Sequence, residues 1–110
     1  MIVDDNPLIR TMIRDVIANP ADDVSEYEDG VAVVSAFRQI NPDYVLMDLQ
    51  MPRMNGIEAT RKLKQEFPGA KVIIVSDFHE QEFRDEAKDA GAVSYFTKDD
   101  LTRLKLFIHE

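Results

Sequence analysis

Asp4-Asp5, Asp48, Ser76 and Lys98 are the residues of this chain whose types could together do chemistry. Three carboxylates brought to one place repel one another, and a hard divalent cation relieves that cost while taking oxygen ligands. Mg²⁺ suits such a site, because it keeps several waters and is commonly shared between carboxylates and a phosphoryl group. A carboxylate can also attack phosphorus to form an aspartyl phosphate. An ammonium and a hydroxyl then stabilise charge on the equatorial oxygens. Taken singly, each residue has a plainer use: Asp after a strand forms turns or caps helices, Ser does the same, and Lys is solvated. The chemistry depends on all of them meeting.

The elements that would make them meet are legible in the apolar pattern. Short runs rich in β-branched and aromatic residues fall at Ile2-Val3, Val24–Glu28, Tyr44–Met47, Val72–Val75 and Val93–Phe96, and predict five strands. Between them lie helical patterns. Asn6 caps a first helix with Pro7 in its first turn, and Leu8, Ile9, Met12, Ile13, Val16 and Ile17 hold one face. Val33, Val34, Phe37 and Ile40 predict a second helix, stopped before Pro42; Ile57, Thr60, Leu63 and Phe67 a third, ended by Pro68-Gly69. Glu80–Ala90 predicts a fourth with only Phe83, Ala87 and Ala90 as apolar contacts and Gly91 as its stop, and Leu101, Leu104, Phe107 and Ile108 begin a fifth.

Strand alternating with helix five times implies an α/β fold with a parallel sheet covered on both faces. The third and fourth runs are apolar throughout, as central strands are; the second alternates, with Glu26 and Glu28 on one side, and predicts an edge strand. In an open parallel sheet, ligands bind at the carboxyl ends of the strands. Asp4-Asp5, Asp48, Ser76 and Lys98 stand at or just past four such ends.

Bulk properties narrow the field. A length of 110 residues suggests one domain, and 45% hydrophobic residues suffice for a core. No apolar run approaches a membrane span and no signal segment opens the chain, so it reads as soluble and unexported. Cysteine is absent, which excludes disulfides and thiolate metal sites and fits the cytoplasm. A net charge of −8 argues against nucleic-acid binding by these residues. The short first strand and the last helix, which stops near its third turn, suggest a domain over residues 1–110 excised from a longer protein.

Val3-Asp4-Asp5, Val45-Leu46-Met47-Asp48-Leu49-Gln50-Met51-Pro52 with Met54-Asn55-Gly56, Ser76, and Tyr95-Phe96-Thr97-Lys98 together resemble the receiver domain of bacterial two-component response regulators. The spacings of 43 residues from Asp5 to Asp48, 28 on to Ser76 and 22 on to Lys98 are also similar to that family. The resemblance implies a flavodoxin-like, doubly wound five-stranded sheet of order 2-1-3-4-5 with five helices, an order for which a receiver protein is a standard example. It implies that Asp48 is the phosphoacceptor, supplied by a sensor histidine kinase. Asp5, Asp48 and the backbone carbonyl of Gln50 would ligate Mg²⁺ directly, and Asp4 through water. Ser76 and Lys98 would contact the phosphoryl oxygens. Tyr95 would be the switch aromatic, partly exposed until phosphorylation draws Ser76 inward and leaves room for the ring.

The fourth helix, fifth strand and fifth helix are the expected output surface, with Arg84, Asp85, Glu86, Lys88 and Asp89 facing solvent or a partner. Asp77 departs from the family pattern, which has a small residue after the hydroxyl. It would either repel an incoming phosphoryl donor at the site mouth or turn outward and cap the next helix. Asp99-Asp100 after Lys98, with Met54–Thr60, resembles the subclass joined to a helix-turn-helix DNA-binding domain. DNA contact would then come only from such a domain, which these residues lack. A homodimer is a further expected partner, and membrane association is not expected. His79 and His109, without other ligands at metal spacing, read as surface residues. Three rivals stand beside this reading. One is a stand-alone receiver that shuttles phosphate or docks on a partner. An aspartyl-phosphate phosphatase would need a second Asp at position 50, which is Gln. A flavin carrier would need a phosphate-cradling loop where Asp4-Asp5-Asn6-Pro7 is acidic.

Overall fold

A computed structural model describes residues 1–109 of the chain. The elements run β1 (Ile2–Val3), α1 (Pro7–Ile17), β2 (Glu26–Tyr27), α2 (Val33–Ile40), β3 (Val45–Met47), α3 (Gly56–Glu66), β4 (Val72–Ser76), α4 (Gln81–Ala90), β5 (Ser94–Thr97) and α5 (Leu101–Ile108). All strand pairs are parallel, in the order β2-β1-β3-β4-β5 expected from the family resemblance. The order reverses between β1 and β3, and that switch point opens a crevice at the carboxyl ends of both strands.

Alternation along the central strands divides the core. Ile2, Leu46, Ile73 and Val75 pack with Ile13 and Ile17 of α1 and with Leu101 and Leu104 of α5. Val3, Val45, Met47, Val72 and Ile74 face the other way, against α2, α3 and α4. Successive strand side chains point to opposite faces, so one apolar run serves two layers of helices. Full burial of each such side chain contributes about 1.5–3 kcal/mol.

Local chemistry sets the helix ends. The Asn6 side chain accepts from the Leu8 amide and the Asn55 side chain from the Glu58 amide, capping α1 and α3. Asn41 ends α2 in the left-handed region, and Gly91 ends α4 at φ 104°. α4 begins at Gln81, one residue later than the apolar pattern predicts, because Glu80 takes the cap position.

Four strands differ from expectation: β3 starts at Val45 rather than Tyr44 and β4 runs on to Ser76, and the other two differ in more than an end residue. The second pairs only over Glu26–Tyr27 rather than Val24–Glu28, since β1 offers two residues to pair with. Glu26 does not face open solvent: it pairs with Arg10 at 3.1 Å and Arg14 at 3.0 Å, both from α1. The fifth runs one residue later than predicted, placing Thr97 opposite Ser76 and leaving Val93 exposed.

Candidate functional site: an acidic pocket at the strand ends

Asp4 follows β1, Asp48 follows β3, Ser76 closes β4 and Lys98 follows β5. Backbone hydrogen bonds lock these ends together: the Asp48 amide donates to the Val3 carbonyl at 2.8 Å, and the Lys98 amide to the Ser76 carbonyl at 2.8 Å. Asp4, Asp48 and Ser76 are all buried, whereas Asp5 is exposed. One carboxylate oxygen from each of Asp4, Asp5 and Asp48 lies within 4.8 Å of the others.

Lys98 reaches into this cluster. Its Nζ stands 3.0 Å from Asp4 Oδ2 and 3.1 Å from Asp48 Oδ1. Burial pushes the ammonium down, but the two carboxylates outweigh it and hold Lys98 above its ordinary range. For Asp48 the balance is reversed. Burial first, and then the negative charge of Asp4, raise its carboxyl to about 6 despite Lys98. Asp4 Oδ1 accepts from the Asn6 amide at 2.9 Å, but Asp4 Oδ2, fully enclosed, receives no well-directed hydrogen bond.

The loop after β3 bends back over Asp48. The Gly56 amide donates to the Leu49 carbonyl at 2.8 Å, and a Cβ at position 56 would lie 2.0 Å from the Asp48 carbonyl oxygen. Close backbone approach therefore requires glycine there. Gln50 lies exposed in this loop, two residues past Asp48.

Asp77 is exposed, with its Oδ2 3.8 Å from Lys98 Nζ, so its carboxylate lies at the mouth of the pocket. It does not cap α4, whose cap position is Glu80 without a side-chain bond; the capping alternative is set aside. Tyr95 is not in the acidic cluster, and it differs from expectation. It is already turned inward, 9% exposed, with its hydroxyl donating to the Phe78 carbonyl at 2.7 Å. Burial raises its phenol above the ordinary value. Arg84, expected to face solvent or a partner, instead lies with Cζ 4.7 Å from the Tyr95 ring centre.

Four further residues near these loops carry no clear signal in the sequence. Arg10 donates to the Asp4 carbonyl at 2.6 Å. Asp29 is buried, accepts from the Val31 amide at 2.9 Å, and pairs with Arg53 of the loop after β3. The hydrogen bond from Arg53 and those from the backbone hold the Asp29 carboxyl below its ordinary range. Arg53 itself sits at φ 68°, where a non-glycine residue is uncommon. The Phe78 amide donates to Ser76 Oγ at 3.0 Å, which makes Phe78 the link between the pocket and Tyr95. Of the two histidines, His79 is exposed near Asp99, as read. His109 does more than decorate the surface: its Nε2 lies 2.8 Å from the Ile17 carbonyl and ties the end of α5 to α1.

A parallel sheet in this order with acidic residues at its switch point defines a receiver domain, and residues 1–109 match the family model of the response regulator receiver domain. The chain belongs to that family. It is 40% identical over 103 residues to an uncharacterized transcriptional regulatory protein, YxjL of Bacillus subtilis, covering 91% of this chain and 47% of that one. It is 35% identical over 98 residues to the chemotaxis protein CheY of Halobacterium salinarum, covering 89% and 82%. Among solved structures, a two-component response regulator of the LuxR family from Aurantimonas superposes with a TM-score of 0.88 at 31% identity, covering 99% of this chain and 83% of that one. The chain thus spans about half the length of the transcriptional regulator and most of the chemotaxis protein. No helix among the described residues is long and apolar enough to cross a membrane.

Proposed function

We propose that Asp48 accepts a phosphoryl group from a sensor histidine kinase and that the resulting charge switches the α4–β5–α5 face to control an output, in this subclass transcription. The observation that carries this reading is the crowding of Asp48: a buried carboxylate beside Asp4 and Asp5, touched by one ammonium, and raised to about 6. Such a group gains from any cation or covalent change that disperses its charge.

The donor set suits Mg²⁺. The ligands on offer are hard oxygens, and one carboxylate oxygen from each of Asp4, Asp5 and Asp48 lies within 4.8 Å of the others. Asp5, Asp48 and the Gln50 carbonyl would hold the ion directly and Asp4 through water; when bound, it neutralises charge between the acceptor carboxylate and the phosphoryl oxygens. The residues of the chain do the rest. A carboxylate oxygen of Asp48 attacks phosphorus; the O–P bond forms as the P–N bond to the donor imidazole breaks, and the imidazole leaves with the electron pair and takes up a proton. Lys98, already 3.1 Å from Asp48 Oδ1, stabilises the transferring group. Ser76 accepts from the Phe78 amide, and its own O–H would donate to a phosphoryl oxygen. Asp77 opposes approach of an anionic donor and tempers the rate.

Transcriptional output draws support from the similarity to YxjL and to the transcriptional regulatory protein DegU of Brevibacillus brevis, and would act through a DNA-binding domain outside these residues, with or without receiver dimerisation. A stand-alone switch is the second reading, favoured by the CheY proteins, most of whose length this chain covers. In either case the domain is a switch that assists its own phosphorylation. The test is intact mass after treatment with acetyl phosphate and Mg²⁺. Wild type should gain one phosphoryl group, and Asp48→Ala none; a gain that survives the substitution would contradict the reading.

A further inference from the structure

α4 is thinly anchored, since Ala87 and Ala90 are its only fully buried residues. Two of its longer side chains nevertheless grip the neighbouring switch elements. Phe83 stacks on Phe78 of the β4–α4 loop at 4.7 Å between ring centres. Arg84 lies over the Tyr95 ring at 4.7 Å and reaches the Tyr95 carbonyl with Nη1 at 3.4 Å. A guanidinium over an aromatic face is attracted by the ring quadrupole, more strongly where the ring is removed from water. Tyr95 in turn fixes the Phe78 peptide from one side by donating to its carbonyl, while Ser76 Oγ accepts from the Phe78 amide on the other. A continuous set of contacts therefore runs from Arg84 through Tyr95 and Phe78 to the Ser76 hydroxyl.

We propose that Arg84 is a positioning residue: its guanidinium holds Tyr95 turned inward and, through the Phe78 peptide, sets the Ser76 hydroxyl for the phosphoryl group. This deepens the proposed role of Ser76 and rests on it for the kinetic consequence alone. The consequence is a switch biased toward its inward state before any phosphoryl group arrives. A decorative surface arginine would lack two of these features: the direct bond to the backbone of the strand it covers, and a ring beneath it whose hydroxyl is committed to the loop of the reacting site.

The test uses the chain labelled with ¹³C in its three tyrosine rings, Tyr27, Tyr44 and Tyr95. Tyr95 is assigned by comparison with Tyr95→Phe. Arg84→Ala should move the Tyr95 ring signal toward that of a solvent-exposed tyrosine, with the inward-to-outward ratio falling about fivefold. Arg84→Met keeps a long stem without the charge and should behave like the alanine variant; Arg84→Lys should restore part of the wild-type signal. Phosphorylation by acetyl phosphate should slow in the Ala and Met variants and recover partly in the Lys variant. A Tyr95 signal in Arg84→Met identical to wild type would overturn the proposal, since packing alone would then hold the ring. A shifted ring with an unchanged rate would overturn the link to Ser76. If wild type takes up no phosphoryl group, the Asp48 reading fails, while the ring comparison still decides the role of Arg84.

Discussion

The two halves of the switch are built to different standards of rigidity. The pocket floor is made of β1, β3 and β4, buried on both faces, and its covering loop is locked by a glycine that backbone contact makes irreplaceable. The α4–β5 flank has a helix with two buried alanines, an edge strand, and side chains that hold position through one stacked pair and one cation over a ring. On the proposed function the carboxylates need fixed distances, because a misplacement of about 1 Å costs rate steeply. The flank, on the same proposal, has to move for modest input, and elements that move are drawn from the weakly packed end of the structure. One fold serves both needs by spending its apolar side chains unevenly.

That contrast can be broken by substitution. On the rigid side, Gly56→Ala should cost about 3 kcal/mol, because the new Cβ has only the backbone of Asp48 to displace. Leu63→Ala in α3, fully buried, should cost about as much, whereas Phe83→Ala in α4, half-buried, should cost about half of that. Urea midpoints at constant m-value measure all three. Equal losses in α3 and α4 would mean that the flank is no softer than the floor.

The pH dependence sharpens the same point. The carboxyl of Asp48 is raised from 3.8 to about 6 on folding, so the folded protein binds its proton more tightly than the unfolded chain. Stability from this group is present below pH 3.8 and is lost as pH rises through about 6. Asp48→Asn should therefore be more stable than wild type above pH 6 in metal-free buffer, by about 1–2 kcal/mol after allowance for solvent screening, and the difference should close at acid pH. Mg²⁺ should raise the melting temperature of wild type more than that of Asp48→Asn. No difference between the two proteins at neutral pH would mean that the pocket tolerates its charge without help.

The smallest effect belongs to the exposed rim. Asp77→Ala should speed phosphorylation by acetyl phosphate about twofold, with the gain shrinking as salt is added. An unchanged rate would remove Asp77 from the account.

Much of this was legible in residue order because the positions of Asp4, Asp48, Ser76 and Lys98 follow from where apolar runs end, and a parallel sheet brings those ends together whatever the details. The strand order came from a family resemblance, since nothing in periodicity ranks the strands. Three features were out of reach for physical reasons. Arg84 has the composition of a solvent-facing residue, and only the tertiary placement of β5 puts a ring beneath it. Asp29 before Gly30 reads as an ordinary turn, and its ion pair with Arg53 joins loops 24 residues apart. Val24–Glu28 has the alternation of a full strand, but ladder length is set by the neighbour, and β1 is short.

The most direct test of the central claim is to locate the acyl phosphate. Borohydride reduces an aspartyl phosphate to homoserine at the residue that carried the phosphoryl group, leaving free carboxylates untouched. After transfer from a phosphorylated histidine kinase domain, reduction and proteolysis, homoserine should stand at position 48 alone. Homoserine at position 4 or 5, or none anywhere in a chain that has gained phosphate, would contradict the account.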